Sequence, residues 1–196
     1  MIMKSLSTAF LIAVAAAAFS MPVFAKEKDL GHFGTWHAYS ANEGGQTVCY
    51  MTTTKMRLPI AHKRAQPYLM ITHRPIEAST DVVSYGAGAI LEKRRSPKML
   101  VGQTSFELFS VRDIAWARDA LTDHRITQAI LRVRSAQISA FLTYKTGEKP
   151  INDTFDVMGA ADAYRAIGKA CGLSMGTPKA PQKGPFKHKG PLRRPK

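Results

Sequence analysis

The residues able to do chemistry in this chain are two cysteines, six histidines and a scatter of aspartates. Cys49 and Cys171 stand far apart. No CxxC occurs, and neither cysteine has a histidine or second cysteine at metal-ligand spacing. In an exported chain an even pair predicts a disulfide, with a catalytic or metal-bound thiol as the less supported alternative. A loop of about 120 residues would contribute about 4–5 kcal/mol in the chain-entropy model, although typical measured values are nearer 2–4. His32, His37, His62, His73, His124 and His188 are dispersed. His32 and His37 are five apart, which suits neither one helix face nor one strand face, and HExxH is absent. No zinc site is expected, and His73 reads as a structural histidine within a strand.

Other catalytic patterns are also missing. There is no GxSxG nucleophile elbow, no GxxxxGK[ST] and no GxGxxG, so nothing signals acyl transfer or a phosphate cradle. Asp113, Asp119, Asp123, Asp153 and Asp156 supply carboxylates. Their places beside turns and helix starts are those of ordinary surface residues rather than of a glycosidase pair. Asn152-Asp153-Thr154 is a glycosylation sequon, relevant only in a eukaryotic secretory route. Trp36 and Trp116 read as core or edge residues. The expectation is a protein with no catalytic residues, no cofactor and no metal.

The elements that carry these residues are mostly short strands. Thr35–Tyr39, Thr47–Thr54, Tyr68–His73 and Asp81–Tyr85 are candidates, with a turn at Gly44-Gly45. Lys98–Val101 and Ser105–Ser110 form a hairpin around Gly102-Gln103. Gln137–Tyr144 alternates, with Ile138, Ala140, Leu142 and Tyr144 on one face, and Lys145–Glu148 turns the chain into a last strand, Asp153–Met158. A helix is predicted over Asp123–Arg134 with Thr122 as its N-cap, and a second over Ala160–Cys171, stopped by Gly172. The second helix puts Ala163, Tyr164, Ile167 and Cys171 on one stripe, so a Cys49–Cys171 bond would clamp it to an early strand. The pattern predicts a mostly β fold, a β-sandwich with two short helices.

The ends of the chain differ from this middle. Lys4, the apolar run Leu6–Ser20 and the small residues before Lys26 follow the three-part pattern of a signal peptide over residues 1–25. That apolar run is short for a membrane span of ~20 residues. Residues 26–172 make one domain, which at that size buries about 70% of its unfolded surface. Residues 173–196 carry Lys179, Lys183, Lys187, Lys189, Arg193, Arg194 and Lys196, no acid, and five prolines. The whole chain has a net charge of +14, half of it in this segment. It reads as a disordered Pro/Lys-rich basic tail suited to polyanions. It has only Phe186 to stack on a base, so no specific nucleic acid is expected.

Several motifs, in order, resemble the invasion-associated locus B family of bacterial exported proteins. They are Cys49-Tyr50, the strand Tyr68-Leu69-Met70-Ile71-Thr72-His73-Arg74-Pro75, and Phe106-Glu107-Leu108-Phe109 followed by Ala115-Trp116. Asp153–Gly159, then Ala163, Ile167 and Ala170-Cys171, resemble the family's closing strand and helix. The basic stretch Glu92-Lys93-Arg94-Arg95 and the Pro/Lys tail depart from the common pattern.

The resemblance implies an immunoglobulin-like β-sandwich, the Cys49–Cys171 bond, a periplasmic or outer-envelope location and no catalytic residues. It suggests a non-enzymatic envelope protein that binds a protein or an anionic envelope or host-surface partner and supports host-cell association or invasion. Peripheral membrane contact through the tail is expected. A periplasmic helper or chaperone-like envelope-stress factor is the alternative.

Overall fold

The computed structural model describes residues 27–57, 59, 63–143 and 150–173. The predicted signal peptide, His62, Tyr144, the turn at Lys145–Glu148, His188 and the basic residues of the tail lie outside them. The fold is mostly β with two helices, as expected. In chain order the strands are β1 Lys28–Phe33, β2 Trp36–Glu43, β3 Gln46–Thr53, β4 Tyr68–Arg74, β5 Ser79–Gly86, β6 Lys98–Val101, β7 Thr104–Val111 and β8 Ile114–Ala117. Helix α1, Ala120–Ile130, precedes β9 Ser135–Ala140 and β10 Ile151–Asp156, and α2, Ala160–Ala170, follows.

The strands form one antiparallel ladder in the order β1-β2-β3-β4-β5-β8-β7-β6-β9-β10. Alternation decides which face is inside. Met51, Leu69, Ile71, Val83, Tyr85, Phe106, Leu108, Ile138 and Phe155 all point into a single core. Each large aliphatic or aromatic side chain buried there is worth about 1.5–3 kcal/mol relative to exposure.

The ladder curls until its halves meet. Just beyond β3, the chain reaches the outer edge of β10: Arg57 N–H donates to the Thr154 carbonyl at 2.7 Å and Asp156 N–H to the Lys55 carbonyl at 2.8 Å. Across the interior, the Trp36 indole N–H donates to the Val157 carbonyl at 3.2 Å, and the Tyr85 and Phe155 rings meet edge to face. Gly34 and Gly159 allow the closest approach. Both have positive φ, and a Cβ on Gly159 would lie 2.1 Å from the Phe33 carbonyl oxygen.

Two strands were not expected from sequence. β1 is a polar edge strand with a bulge between Asp29 and Gly31, so it lacks alternation. β8 is four residues long and follows a tight turn in which Arg112, not glycine, takes φ +58°.

Helix α1 starts earlier than expected. Its N-cap is Asp119, whose carboxylate accepts from Thr122 N–H at 2.8 Å, and not Thr122. The helix takes the place of a missing strand segment. β8 pairs with β5 only over Ser84–Gly86. Beyond that point Val83 N–H donates to Asp123 Oδ1 at 2.8 Å, and Thr127 Oγ1 donates to the Asp81 carbonyl at 3.2 Å. Two helix side chains thus satisfy backbone groups that a strand would have paired.

Candidate functional site

The predicted cysteine pair is bonded. Cys49, fully buried on β3, joins Cys171 at the end of α2 with an S–S distance of 2.10 Å and a Cα–Cα distance of 5.9 Å. The bond spans 122 residues and holds the end of α2 to β3, while Ala163 and Ile167 of α2 are fully buried in the core. Its role is structural.

Beside it lies a polar node that sequence reading did not single out. Asp81 sits at φ +63°, an unusual conformation for a non-glycine residue. Its carboxylate accepts from the Tyr164 hydroxyl at 2.5 Å through Oδ1 and lies 2.7 Å from His124 Nδ1 through Oδ2. Its N–H donates to His73 Nδ1 at 3.1 Å. His73 is fully buried, and burial pushes its pKa down, so it is held neutral with Nδ1 as acceptor. Its Nε2 meets no hydrogen-bond partner among the described residues. Burial, then the Asp81 carboxylate, hold the Tyr164 phenol well above its usual range. The node ties β4, β5, α1 and α2 together. Of its members only His124 is largely open to solvent.

A second polar group is sealed completely. Arg64 forms an ion pair with Asp153 on β10, both side chains essentially inaccessible, and also donates to the Ala87 carbonyl. The Tyr85 hydroxyl donates to the other Asp153 oxygen at 2.6 Å. Burial, and then the Asp153 charge, raise the Tyr85 phenol far above its usual range. Nothing in this cluster can reach a solute, so Asp153 belongs to the core and not to a surface turn.

The accessible feature is a cleft where β8 ends and α1 begins. It has a volume of about 520 Å³ and is lined by Ser79 and Val82 of β5, Phe109 of β7, Trp116 of β8, Arg118, and Asp119 and Asp123 at the start of α1. A second cavity of about 460 Å³ adjoins it, sharing Ser79, Val82 and Asp123 and reaching His124. Phe109 and Trp116 are cross-strand partners on the outer face, with ring centroids 5.8 Å apart and planes 29° from parallel. Phe109 is 38% exposed. Arg118 is fixed at the rim by Glu107 at 2.7 Å and Ser96 Oγ at 3.2 Å.

Asp123 forms the wall between the two cavities. Burial, and then the nearby Asp81 and Asp119 charges, push its carboxyl up to about 6 against the pull of the Val83 N–H. Of the two tryptophans, Trp36 is a core residue, whereas Trp116 is partly exposed and faces this cleft. One sequence signal pointed here. Phe106 and Leu108 point inward on β7, so Phe109 has to be out of phase with them.

The described residues include no group of three or more His, Cys, Asp or Glu side chains placed to hold a metal ion. His32 and His37 are neighbours across β1 and β2, their rings 3.6 Å apart on the outer face. The disulfide acts as a clamp, and this cleft is a surface open to solvent.

The fold has a counterpart among solved structures. The chain is similar to the crystal structure of invasion associated protein b from Bartonella henselae, with a TM-score of 0.51 and 16% identity. The match covers 71% of this chain and 95% of that one. At that identity the likeness is one of fold. No family model matches the chain, and no curated protein sequence matches it.

Proposed function

We propose that this is an exported, non-enzymatic cell-envelope protein of the invasion-associated locus B type, which acts by binding a partner and supports association with host cells. The observation that carries this reading is the fold likeness, which spans nearly all of invasion associated protein b. The Cys49–Cys171 bond agrees with an oxidising compartment such as the periplasm or the cell exterior. Among the described residues no helix is long and apolar enough to cross a membrane. The basic tail is the proposed contact with the envelope, since each Lys or Arg near an anionic membrane adds about 1 kcal/mol.

Treatment of intact cells with an impermeant protease tests the reading. Cleavage of the protein on intact cells supports host association. Protection until the outer membrane is opened supports a periplasmic role, and recovery in the cytoplasm overturns export. For the tail, vesicles containing anionic lipid are the probe: binding that survives deletion of residues 173–196 eliminates the tether.

One observation favours a second reading, a periplasmic helper. β1 ends the ladder, and its outer edge has no strand partner among the described residues. An extended client segment could add there as a further strand. Recovery of no client from periplasmic extract by the immobilised protein counts against it.

A further inference from the structure

We infer that the cleft between β5, β8 and the start of α1 binds a pyranose unit of a glycan, with Trp116 and Phe109 as the stacking platform. The inference rests on the binding-protein reading above and names the ligand class for it.

Phe109 and Trp116 are cross-strand partners on the outer face of the sheet, their ring centroids 5.8 Å apart and their planes 29° from parallel, with Phe109 left 38% exposed. The faces of aromatic rings carry partial negative charge, and the C–H groups on one face of a sugar ring are weakly positive and apolar. A partly exposed aromatic pair suits such a face better than it suits a flexible chain.

Arg118 is held in place by Glu107 and Ser96, and Asp119, Asp123 and the Ser79 hydroxyl line the same cleft. Donors and acceptors for a sugar's hydroxyl groups thus line the same cleft as the rings. At about 520 Å³ the cleft falls within the ordinary range for small-ligand sites, about 300–1,000 Å³.

The same geometry argues against two other ligands. A peptide bound by strand addition needs a free edge. Here β8 and β7 are paired on both sides, and the edge of β5 beyond β8 is occupied by Asp123 and Thr127. A lipid acyl chain would strip water from Arg118, Asp119 and Asp123 without replacing their hydrogen bonds, which is costly.

The test uses the full mature chain and three soluble probes: a GlcNAc–MurNAc disaccharide, a lipopolysaccharide core oligosaccharide and sialyl-lactosamine. The first two represent bacterial envelope glycans and the third a host-surface glycan, so the preferred probe identifies the source. Trp36 is buried, so acrylamide quenching of tryptophan fluorescence reports chiefly on Trp116. A bound sugar is expected to protect it. Phe109→Ala is expected to weaken binding about tenfold, the equivalent of one lost aromatic contact, with only a small change in melting temperature. Trp116→Phe should have a smaller effect in the same direction.

Binding of no probe at millimolar concentration overturns the inference, as does binding that both variants leave unchanged. A change in oligomeric state in Phe109→Ala, with no sugar bound by wild type, also overturns it and makes the face a protein–protein contact. Protease accessibility on intact cells is independent of all these outcomes, so failure here leaves the envelope reading standing.

Discussion

Asp153 and Asp123 are both nearly buried carboxylates, and the protein treats them in opposite ways. Asp153 is neutralised: Arg64 and the Tyr85 hydroxyl take its two oxygens, and no solute can approach. Asp123 has one backbone N–H on Oδ1, no ion-pair partner among the described residues, and a place in the wall of two cavities. The first arrangement spends polar groups on holding β10 to the opposite half of the sheet. The second leaves a carboxyl under electrostatic stress at a surface a ligand can reach. Burial alone therefore says little about the role of a polar residue, whereas the completeness of its partners says much.

The largest effect is expected from breaking the sealed side of this comparison. Arg64→Ala strands a buried, uncompensated charge and should cost about 3–5 kcal/mol, read as a lower midpoint in denaturant. A cost below about 1 kcal/mol would show that water reaches Asp153, and the contrast with Asp123 would collapse.

Next comes the clamp. The double variant Cys49→Ala/Cys171→Ala should lose about 2–4 kcal/mol by the same measurement, since the bond closes a long loop in the unfolded chain. Hydrogen exchange in α2 should rise with it, because the bond anchors the end of that helix.

A smaller effect of opposite sign is expected in the cleft. Asp123 has a folded pKa of about 6 against an ordinary 3.8. The folded state holds the proton more tightly, so its burial cost is fully present above pH 6 and is relieved as pH falls towards 4. Asp123→Asn keeps an acceptor for Val83 N–H and removes the charge. It should stabilise the protein by about 1–2 kcal/mol at pH 8 and by nothing measurable near pH 4. Destabilisation at pH 8 would mean that the carboxylate has a cation partner after all.

The same variant should also uncover His73. Its folded pKa is lowered by burial, so the unfolded chain takes up protons first, and stability is lost as pH falls below about 6.5. In wild type the relief at Asp123 offsets part of that loss. In Asp123→Asn the acid-side decline should be steeper.

The smallest stability change belongs to Phe109→Ala. The side chain is part-exposed on the outer face, so the melting midpoint should move by no more than the equivalent of about 0.5 kcal/mol. A larger loss would make the platform part of the scaffold.

Much of the fold could be read locally. Gly44-Gly45 marked the β2–β3 turn, and both residues take positive φ, as a tight hairpin requires. Alternation marked β9, where Ile138 and Ala140 are fully buried. Helical spacing marked α2, and with it the face that brings Cys171 to Cys49. These signals survive in sequence because they depend on periods of two or 3.6 residues and on single-residue backbone preferences. β1 and β8 escaped for the same reason: an edge strand with a bulge and a four-residue strand are too polar or too short to show a period.

The candidate site was a different matter. Asp81, Asp123, His124 and Tyr164 come from β5, α1 and α2, and nothing in their spacing announces that they converge. Asp153 looked like a turn residue because its partner Arg64 is 89 positions away. The amino-acid sequence by itself determined which segments become strands and helices and which of their faces are apolar. Only the tertiary structure decided which polar residues are sealed in pairs and which face the cleft. That choice depends on how the sheet curls and where β8 stops, and both are set by contacts between residues distant in the chain.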